Sequence, residues 1–236
     1  MELATIDYRS EDSGVLFVKS LRETGFGVLT NHPIDPVLVQ TIYDEWQAFF
    51  ASEEKHGFLF KPETQDGFFP AEISETAKGH TVKDLKEYFH IYPWGRIPQS
   101  LKENILTYFD QANALAGELL DWVEAYSPDD VSEKYSIALS KMIADSSKTL
   151  LRVLHYPPMT GNEEPNAIRA AAHEDINLLT VLPAANERGL QVKTQDGEWI
   201  DGPINFGNLI INTGDMLQEA SGGYSPSTTH LVINPE

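Results

Sequence analysis

The second half of the chain is a series of short β-rich segments, and this pattern limits the possible folds more than any other feature of the sequence. From Thr149 onward, runs of Leu, Ile, Val and Thr alternate with turns rich in Gly, Pro, Asn and Asp. The apolar runs are TLLRVLHY, NLLTVL, GLQVKT, GNLIINT and THLVI. Several short strands separated by turn residues are typical of an antiparallel sandwich or barrel. The sequence therefore predicts a β core built largely from these segments.

Helices are predicted ahead of this β core. Residues 12–24 have the apolar spacing of a short helix, and the Asp-Pro pair at 35–36 is a favourable start for a second one. A Ser-x-x-Glu capping box at 100–103 precedes a long amphipathic segment that reaches about Tyr126. A further helix is expected over 129–143. The predicted order is therefore helices first and β core second.

The composition excludes several classes of protein. The formal net charge is −19, with 36 acidic against 17 basic residues, which disfavours nucleic acid and anionic membrane surfaces as partners. The chain has no Cys, so disulfides, thiolate metal sites and cysteine nucleophiles are excluded. The first residues, MELATIDYRSED, do not resemble a signal peptide, and no apolar run is long enough to span a bilayer. We expect a cytoplasmic protein.

A charged triplet stands directly before one of the predicted strands. His173, Glu174 and Asp175 precede the apolar run INLLTVL. Residues two apart on an extended strand point to the same face, so His173 and Asp175 would share a face and Glu174 would point away. A His-x-Asp pair is a weak signal by itself. Its two interpretations are a solvated loop before the strand and part of a metal site.

A second histidine in the β half favours the metal site. His230 lies in the β-like segment SPSTTHLVI, and the strands between it and His173 would allow the sheet to return beside the first pair. Two histidines and one carboxylate on one side of a metal are typical of the facial triad of non-haem Fe(II) oxygenases. An isolated His230 would be interpreted as a hydrogen-bonded core residue.

Six segments, in order along the chain, resemble those of one enzyme superfamily. They are GFGVLTNHPI (25–34), FFASEEKHGF (49–58), DLKEYFHI (84–91), LRVLHYPP (151–158), HEDINLLTVLPAANERGLQV (173–192) and GNLIINTGDMLQEASGGYSPSTTH (207–230). The chain resembles the Fe(II)- and 2-oxoglutarate-dependent dioxygenases, in the branch that contains isopenicillin N synthase and plant flavonoid and hormone dioxygenases. Pro33 replaces a glycine that is usual in the first segment.

The resemblance implies a fold, cofactors and site residues. It implies a double-stranded β-helix, or jelly roll, flanked by N-terminal helices, which uses Fe(II), 2-oxoglutarate and O₂. Carried over by position, it makes His173, Asp175 and His230 the iron ligands. Tyr156 falls where the family places a tyrosine hydroxyl near the carboxylate of the co-substrate or substrate. The regions expected from it are an N-terminal α/β region (1–98), a helical support (99–146) and a catalytic β core (147–236).

One family feature is missing from the sequence. An Arg-x-Ser pair, whose arginine binds the distal carboxylate of 2-oxoglutarate, normally follows the distal histidine by about ten residues, but this sequence ends at Glu236. Leu231 also replaces the arginine that usually follows that histidine. We expect that the natural chain continues. Otherwise the protein would be an oxidase of the isopenicillin N synthase type that does not use 2-oxoglutarate, or an inactive cupin-like metal-binding protein.

The substrate pocket is predicted only in outline. Residues 61–98 and 157–170 are expected to line its mouth, with Phe68 and Phe69 as contacts. These residues do not distinguish among flavonoids, amino acids, peptides and hormone-like acids. Hydroxylation, desaturation and ring closure all stay open as reactions.

Overall fold

A computed structural model describes residues 2–73, 82–185 and 187–235 of the chain. Its helices are α1 (Ser13–Thr24), α2 (Pro36–Phe50), α3 (Lys102–Tyr126), α4 (Asp129–Ser132), α5 (Leu139–Ile143) and α6 (Asp215–Ala220), with 3₁₀ turns at Glu53–Phe58 and Ala71–Ile73. Its strands are β1 (Thr5–Asp7), β2 (Phe26–Thr30), β3 (Gly67–Phe69), β4 (Glu87–Ile91), β5 (Leu151–His155), β6 (Ala170–His173), β7 (Leu179–Pro183), β8 (Leu190–Lys193), β9 (Trp199–Asp201), β10 (Leu209–Thr213) and β11 (His230–Val232).

The first two helices begin and end as the local sequence predicts. Gly25 follows α1 in the left-handed conformation, with φ of 71°, and its N–H donates to the Leu21 carbonyl. Asp35 caps α2 by accepting a hydrogen bond from the Val37 N–H, and Pro36 occupies the first turn. Both ends satisfy backbone groups that a helix terminus otherwise leaves unpaired.

The later helices differ from the prediction in two details. The capping box at 100–103 does not form, because α3 has Leu101 at its N-cap, a residue whose side chain cannot accept a hydrogen bond. The helix expected over 129–143 is two short helices, α4 and α5. The segment between them, EKYSIA, includes residues of low helix propensity, and Pro128 accepts the first hydrogen bonds of α4.

Three sheets form the β part of the molecule. Their strand orders are β1-β2-β10-β7, β6-β11-β8-β9 and β3-β4-β5. All pairs are antiparallel except β1 with β2, which are parallel. The first two sheets enclose a small apolar layer of Phe26, Ala184, Val192 and Ile210. The jelly-roll core with flanking helices is therefore confirmed as the fold.

Pairing joins the N-terminal part of the chain to the β core. Strand β2 pairs with β10, and β4 pairs with β5. Both pairings cross the boundaries at 98 and 146, so the three expected regions share one set of sheets. The division itself stays a prediction.

The larger apolar core lies between the sheets and helices α1, α2 and α3. Trp46 of α2 lies 5.0 Å from Phe89 of β4 between ring centroids, and Phe49 lies 5.6 Å from the same ring. Removing each large apolar side chain from water contributes roughly 1.5–3 kcal/mol. This core fixes β4, and through it β5, against the helices.

The two faces of β4 and β5 therefore have different surroundings. Phe89 and its partner Val153 face the helices and join the large core. Tyr88, His90 and Arg152 point the other way, as expected for alternating residues of paired strands, and contact one another. This second face looks into the jelly roll.

Among the described residues, no helix is long and apolar enough to cross a membrane.

Candidate metal centre

His173, Asp175 and His230 come together at one end of the jelly roll. His173 is the last residue of β6, and the register of the antiparallel pair β6–β11 sets it opposite His230. Each of the three residues offers one ligand atom, and these atoms all lie within 4.8 Å of one another. The Nε2 atoms of both histidines lie 3.9 Å from Asp175 Oδ1. Strand pairing thus closes the long sequence separation between the two histidines.

Backbone carbonyls orient both imidazole rings. His173 Nδ1 lies 2.7 Å from the carbonyl oxygen of Ala171, and His230 Nδ1 lies 3.1 Å from that of Thr228. A carbonyl oxygen only accepts hydrogen bonds, so each Nδ1 carries a proton and donates it. Each neutral ring then has its lone pair on Nε2, which faces Asp175. This is the usual arrangement of histidines that bind a metal through Nε2.

The two carboxylate oxygens of Asp175 make different contacts. Its Oδ2 accepts hydrogen bonds from Thr180 Oγ1 at 2.5 Å and from Asn212 Nδ2 at 2.9 Å. These two bonds leave Oδ1 directed at the imidazoles. Thr180 and Asn212 are opposite each other on β7 and β10. The carboxylate therefore offers one oxygen to the centre and is held by the other.

The electrostatic environment favours the protonation states that a metal requires. Burial acts to raise the pKa of Asp175, but the neighbouring His230 and the hydrogen bonds from Asn212 and Thr180 outweigh it, so the pKa lies below its ordinary value. Burial lowers the pKa of His230, although the charge of Asp175 opposes this effect. An ionised carboxylate and a neutral imidazole are the forms that bind metal ions.

The donor set fits a non-haem iron site better than a hydrolytic zinc site. Two imidazole nitrogens and one carboxylate oxygen on one side leave the opposite side open for further ligands. A zinc hydrolase would also need a general base beside the metal. Glu174 is exposed and accepts a hydrogen bond from the Thr229 hydroxyl, so it points away from the three ligand atoms.

A polar and aromatic layer on β4 and β5 faces the same interior. His90 Nδ1 lies 3.0 Å from the carbonyl oxygen of Gln65, and Arg152 Nε donates to His90 Nε2 at 2.9 Å. The Arg152 guanidinium also lies 4.6 Å from the ring centroid of Tyr88. His90 is almost fully buried, and Arg152 beside it is half-buried.

A buried ion pair connects this layer to the strand that carries His173. Asp84 Oδ2 lies 2.8 Å from Lys86 Nζ, and both side chains are almost fully buried. Asp84 Oδ1 accepts a hydrogen bond of 2.9 Å from the Ala171 N–H, two residues before His173. The Leu85 N–H also donates to the Ile168 carbonyl. The only sequence signal for this link is the presence of two charged residues beside an apolar strand.

The remaining predicted site residues occupy different positions. Tyr156 follows β5, and burial raises its pKa to about 12, so its hydroxyl stays protonated. Phe69 stacks on Tyr88 with centroids 4.7 Å apart, on the interior side. Phe68 is fully buried on the helix side, against Phe50. The expectation that Phe68 and Phe69 contact a substrate stays a prediction, and the position of Phe69 is the more favourable one.

Thr180 and Asn212 are site residues that the sequence interpretation did not identify. Both are polar residues inside apolar strands, in the segments NLLTVL and LIINT. A polar residue on the inner face of a core strand needs a partner, and this is the signal that could have found them.

Comparison with known proteins gives matches over most of the chain. Residues 147–236 match the 2OG-Fe(II) oxygenase superfamily, and residues 10–115 match the N-terminal region described as non-haem dioxygenase in morphine synthesis. Gibberellin 2-beta-dioxygenase 2 of Arabidopsis thaliana is 24% identical over 243 residues, which cover 98% of this chain and 70% of that protein. Thebaine 6-O-demethylase of Papaver somniferum is 26% identical, over 90% of this chain and 59% of that protein.

Solved structures match the whole fold. A Shewanella oneidensis protein, provisionally described as an oxygenase, is 71% identical with a TM-score of 0.91, and the match covers 100% of this chain and 85% of that one. A full-length Neurospora crassa protein, solved in complex with alpha-KG, is 24% identical with a TM-score of 0.77, over 98% of this chain and 78% of that one. Both matched proteins are longer than the present sequence.

Proposed function

The chain belongs to the 2OG-Fe(II) oxygenase superfamily and is a dioxygenase that depends on Fe(II), 2-oxoglutarate and O₂, and we propose that His173, Asp175 and His230 hold the iron. The observation that carries this proposal is the set of three ligand atoms within 4.8 Å of one another. Relatives of this kind do not favour the alternatives of a 2-oxoglutarate-independent oxidase or an inactive binding protein.

The protein's own contribution is to hold three donors in place and to leave one side of the centre open. When bound, iron with 2-oxoglutarate and O₂ supplies the oxidising power, with oxidative decarboxylation of 2-oxoglutarate. The carbonyls of Ala171 and Thr228 fix the imidazole rings, so the ligand nitrogens need no reorientation. Asp175 contributes one oxygen because Thr180 and Asn212 hold the other.

We infer a small organic molecule as the substrate. The relatives act on molecules of this size, and the Neurospora crassa protein has also been solved with alpha-KG and thymine. The net charge of −19 makes a polyanion such as nucleic acid an unfavourable partner.

Anaerobic titration of the Fe(II)-loaded protein with 2-oxoglutarate tests the proposal. The chelate should give a weak visible charge-transfer band, and metal analysis should give one iron per chain. The titration is made on the 236-residue chain. His173→Ala and Asp175→Ala should lose both the iron and the band, whereas Glu174→Ala, with a side chain that points away, should keep both. Stoichiometric iron in His173→Ala would overturn the ligand assignment.

A further inference from the structure

Strand β6 contains one extra residue in its pairing with β11. Ala170 of β6 lies opposite Val232 of β11. Three residues later on β6, His173 lies opposite His230, which is only two residues before Val232. An extra residue of this kind is a β-bulge, which bends a strand and redirects its side chains. The bulge lies in the short stretch between Ala170 and His173.

The bulge determines the face of the sheet to which His173 points. His230 and Val232 are two positions apart on β11 and share a face, and residues directly opposite on antiparallel strands share a face too. Without the extra residue, Ala170 and His173, three positions apart, would point to opposite faces. With the bulge, His173 lies beside His230, and the centroids of the two rings are 4.4 Å apart. The convergence of the two histidines therefore depends on this local backbone shape.

The side chains of the bulge itself do little to keep it in place. Residues 170–172 are all alanines, whose methyl groups make few contacts and whose strand propensity is low. A strand with so little side-chain information is prone to a one-residue slip, which would turn His173 away from the centre. A partner outside the β6–β11 pair is therefore expected to hold the bulge.

Asp84 contacts the bulge directly. Its Oδ1 accepts a hydrogen bond of 2.9 Å from the N–H of Ala171. The carbonyl of the same Ala171 accepts the hydrogen bond from His173 Nδ1 at 2.7 Å. Both backbone groups of Ala171 are thus engaged, one by Asp84 and the other by the imidazole. Asp84 is therefore connected to the His173 ring through a single residue.

Asp84 is itself firmly held. Its Oδ2 lies 2.8 Å from Lys86 Nζ, and both side chains are almost fully buried. A second hydrogen bond of 2.9 Å, from the Leu85 N–H to the Ile168 carbonyl, joins the same two segments of chain. A hydrogen bond accepted by a charged carboxylate is stronger than one between neutral groups. The segment 84–86 therefore forms a fixed support beside β6.

We propose that Asp84 is a positioning residue for the metal ligand His173. Its carboxylate holds the β-bulge of β6 in the shape that directs the imidazole toward Asp175 and His230. This inference rests on the proposed function, because it takes His173 as an iron ligand. Asp84 acts through the backbone of Ala171 and not by contact with the ligand side chain. The oxygen that accepts the Ala171 N–H is the part of Asp84 that this role requires.

Two double variants separate the acceptor oxygen of Asp84 from its charge. Asp84→Asn with Lys86→Met removes both charges of the buried pair and keeps an oxygen for the Ala171 N–H. Asp84→Leu with Lys86→Met has nearly the same shape but no acceptor, so it leaves that N–H unpaired. In anaerobic Mn(II) titrations of the 236-residue chain, the double variant with Asp84→Leu should bind about tenfold or more weakly than the one with Asp84→Asn. Equal metal affinities of the two would overturn the proposal.

Asp66→Asn and Asp66→Leu are the matched control pair. Asp66 is also almost fully buried and pairs with Arg96 at 3.1 Å, but its hydrogen bonds go to Thr64 and Arg96 instead of to β6. The two Asp66 variants should differ in melting temperature and agree in metal affinity.

NMR of the Co(II)-substituted protein shows whether a single histidine responds. Each imidazole that binds Co(II) through Nε2 carries an exchangeable Nδ1 proton, which gives a strongly shifted signal. Between the two double variants, the signal of His173 should move, and that of His230, which is held by Thr228, should stay. Movement of both signals to the same extent, or of neither, would overturn the proposal.

The outcomes are distinguishable from a failure of the proposed function. A wild type that binds neither Fe(II) nor Mn(II) contradicts the iron site itself. A wild type that binds metal, with double variants that agree in metal affinity and in both NMR signals, overturns the role of Asp84 alone. A purely structural role lowers the melting temperature of the double variant with Asp84→Leu and leaves metal affinity and both signals unchanged, and this result also overturns the proposal.

Discussion

The side chain of Asn212 donates a hydrogen bond of 2.9 Å to Asp175 Oδ2, across 37 positions of sequence. Asn212 is almost fully buried on β10, where the next inward-facing residue, Ile210, belongs to the apolar layer between the sheets. Thr180 on β7 donates to the same oxygen. Strands β7 and β10 of the first sheet thus hold the carboxylate close to the two histidines of the β6–β11 pair, and the first sheet is coupled to the metal centre.

Asn212→Ala is expected to weaken metal binding by about 10- to 100-fold, the range typical of partners that orient a metal ligand. Without the amide, Asp175 loses one of the two bonds that direct Oδ1 toward the imidazoles. The measurement is an anaerobic Fe(II) or Mn(II) titration, with melting temperature recorded alongside. Thr180→Val removes the other bond at nearly constant volume and should show a smaller loss in the same direction. Asn205→Ala, at an exposed asparagine, is the control. Unchanged metal affinity in both Asn212→Ala and Thr180→Val would contradict a positioning role.

The sequence most directly predicts the two site residues that are close together in the chain. His173 and Asp175 are two residues apart, and the strand period sets both on one side before any tertiary structure is known. His230 follows from the order of strands and from the resemblance of its segment. Their convergence in the structure agrees with that prediction, and the ligand roles themselves stay a proposal.

The parts that the sequence does not predict depend on long-range register. Asn212 reaches Asp175 because β10 pairs with β7 in the register that sets Asn212 opposite Thr180. No local pattern specifies which of several polar residues in apolar strands will meet. For the same reason, the sequence does not predict the hydrogen bond between Asp84 and β6 or the contact of Arg169 with the Tyr156 ring. Local rules fail in the helices too, where the favourable capping sequence at 100–103 is not used by α3.

Phe89→Ala is expected to destabilise the fold by about 3–5 kcal/mol, the usual cost of truncating a buried phenylalanine to alanine. The fully buried Phe89 ring packs from β4 against α2. Its centroid lies 5.0 Å from that of Trp46 and 5.6 Å from that of Phe49. The measurement is urea unfolding at neutral pH. Val37→Ala, at a largely exposed position of α2, should change stability by less than about 0.5 kcal/mol. A loss below about 1 kcal/mol in Phe89→Ala would show that this core does not fix β4.

Glu87 should make stability depend on pH in the acid range. Burial acts to raise its pKa, but hydrogen bonds from His155 at 2.8 Å and Lys55 at 3.0 Å, with the charge of Lys55, hold the pKa below the ordinary value of 4.5. In the folded state the carboxyl therefore loses its proton at lower pH than in the unfolded state. Its stabilising effect is complete above pH 4.5 or so and is lost as the pH falls through the folded pKa.

Glu87→Gln removes this titratable carboxyl and tests the direction of its pKa shift. The variant should be less stable than wild type at pH 7, and the difference should shrink as the pH falls below about 4.5. Urea unfolding of both proteins at a series of pH values measures it. Glu53→Gln, at an exposed carboxyl, should show a constant difference near zero. A gap between Glu87→Gln and wild type that widens toward low pH would contradict the assigned direction.

Gly25→Ala should impair the metal centre although Gly25 is not one of its ligands. Gly25 has φ of 71°, and a Cβ at this position would overlap Thr228 Oγ1 and lie 2.6 Å from the Pro226 carbonyl oxygen. The carbonyl of the same Thr228 accepts the hydrogen bond from His230 Nδ1 and so orients that ring. Relief of the overlap must displace the segment that carries His230, and we expect metal affinity to fall together with the melting temperature.

Gly161→Ala is the matched control, because Gly161 also has a positive φ, of 81°, but a Cβ there meets no atom within 4 Å. It should show only the strain of a left-handed alanine, about 1 kcal/mol, and normal metal affinity. Equal metal affinities for the two variants would mean that the end of α1 does not control the position of His230.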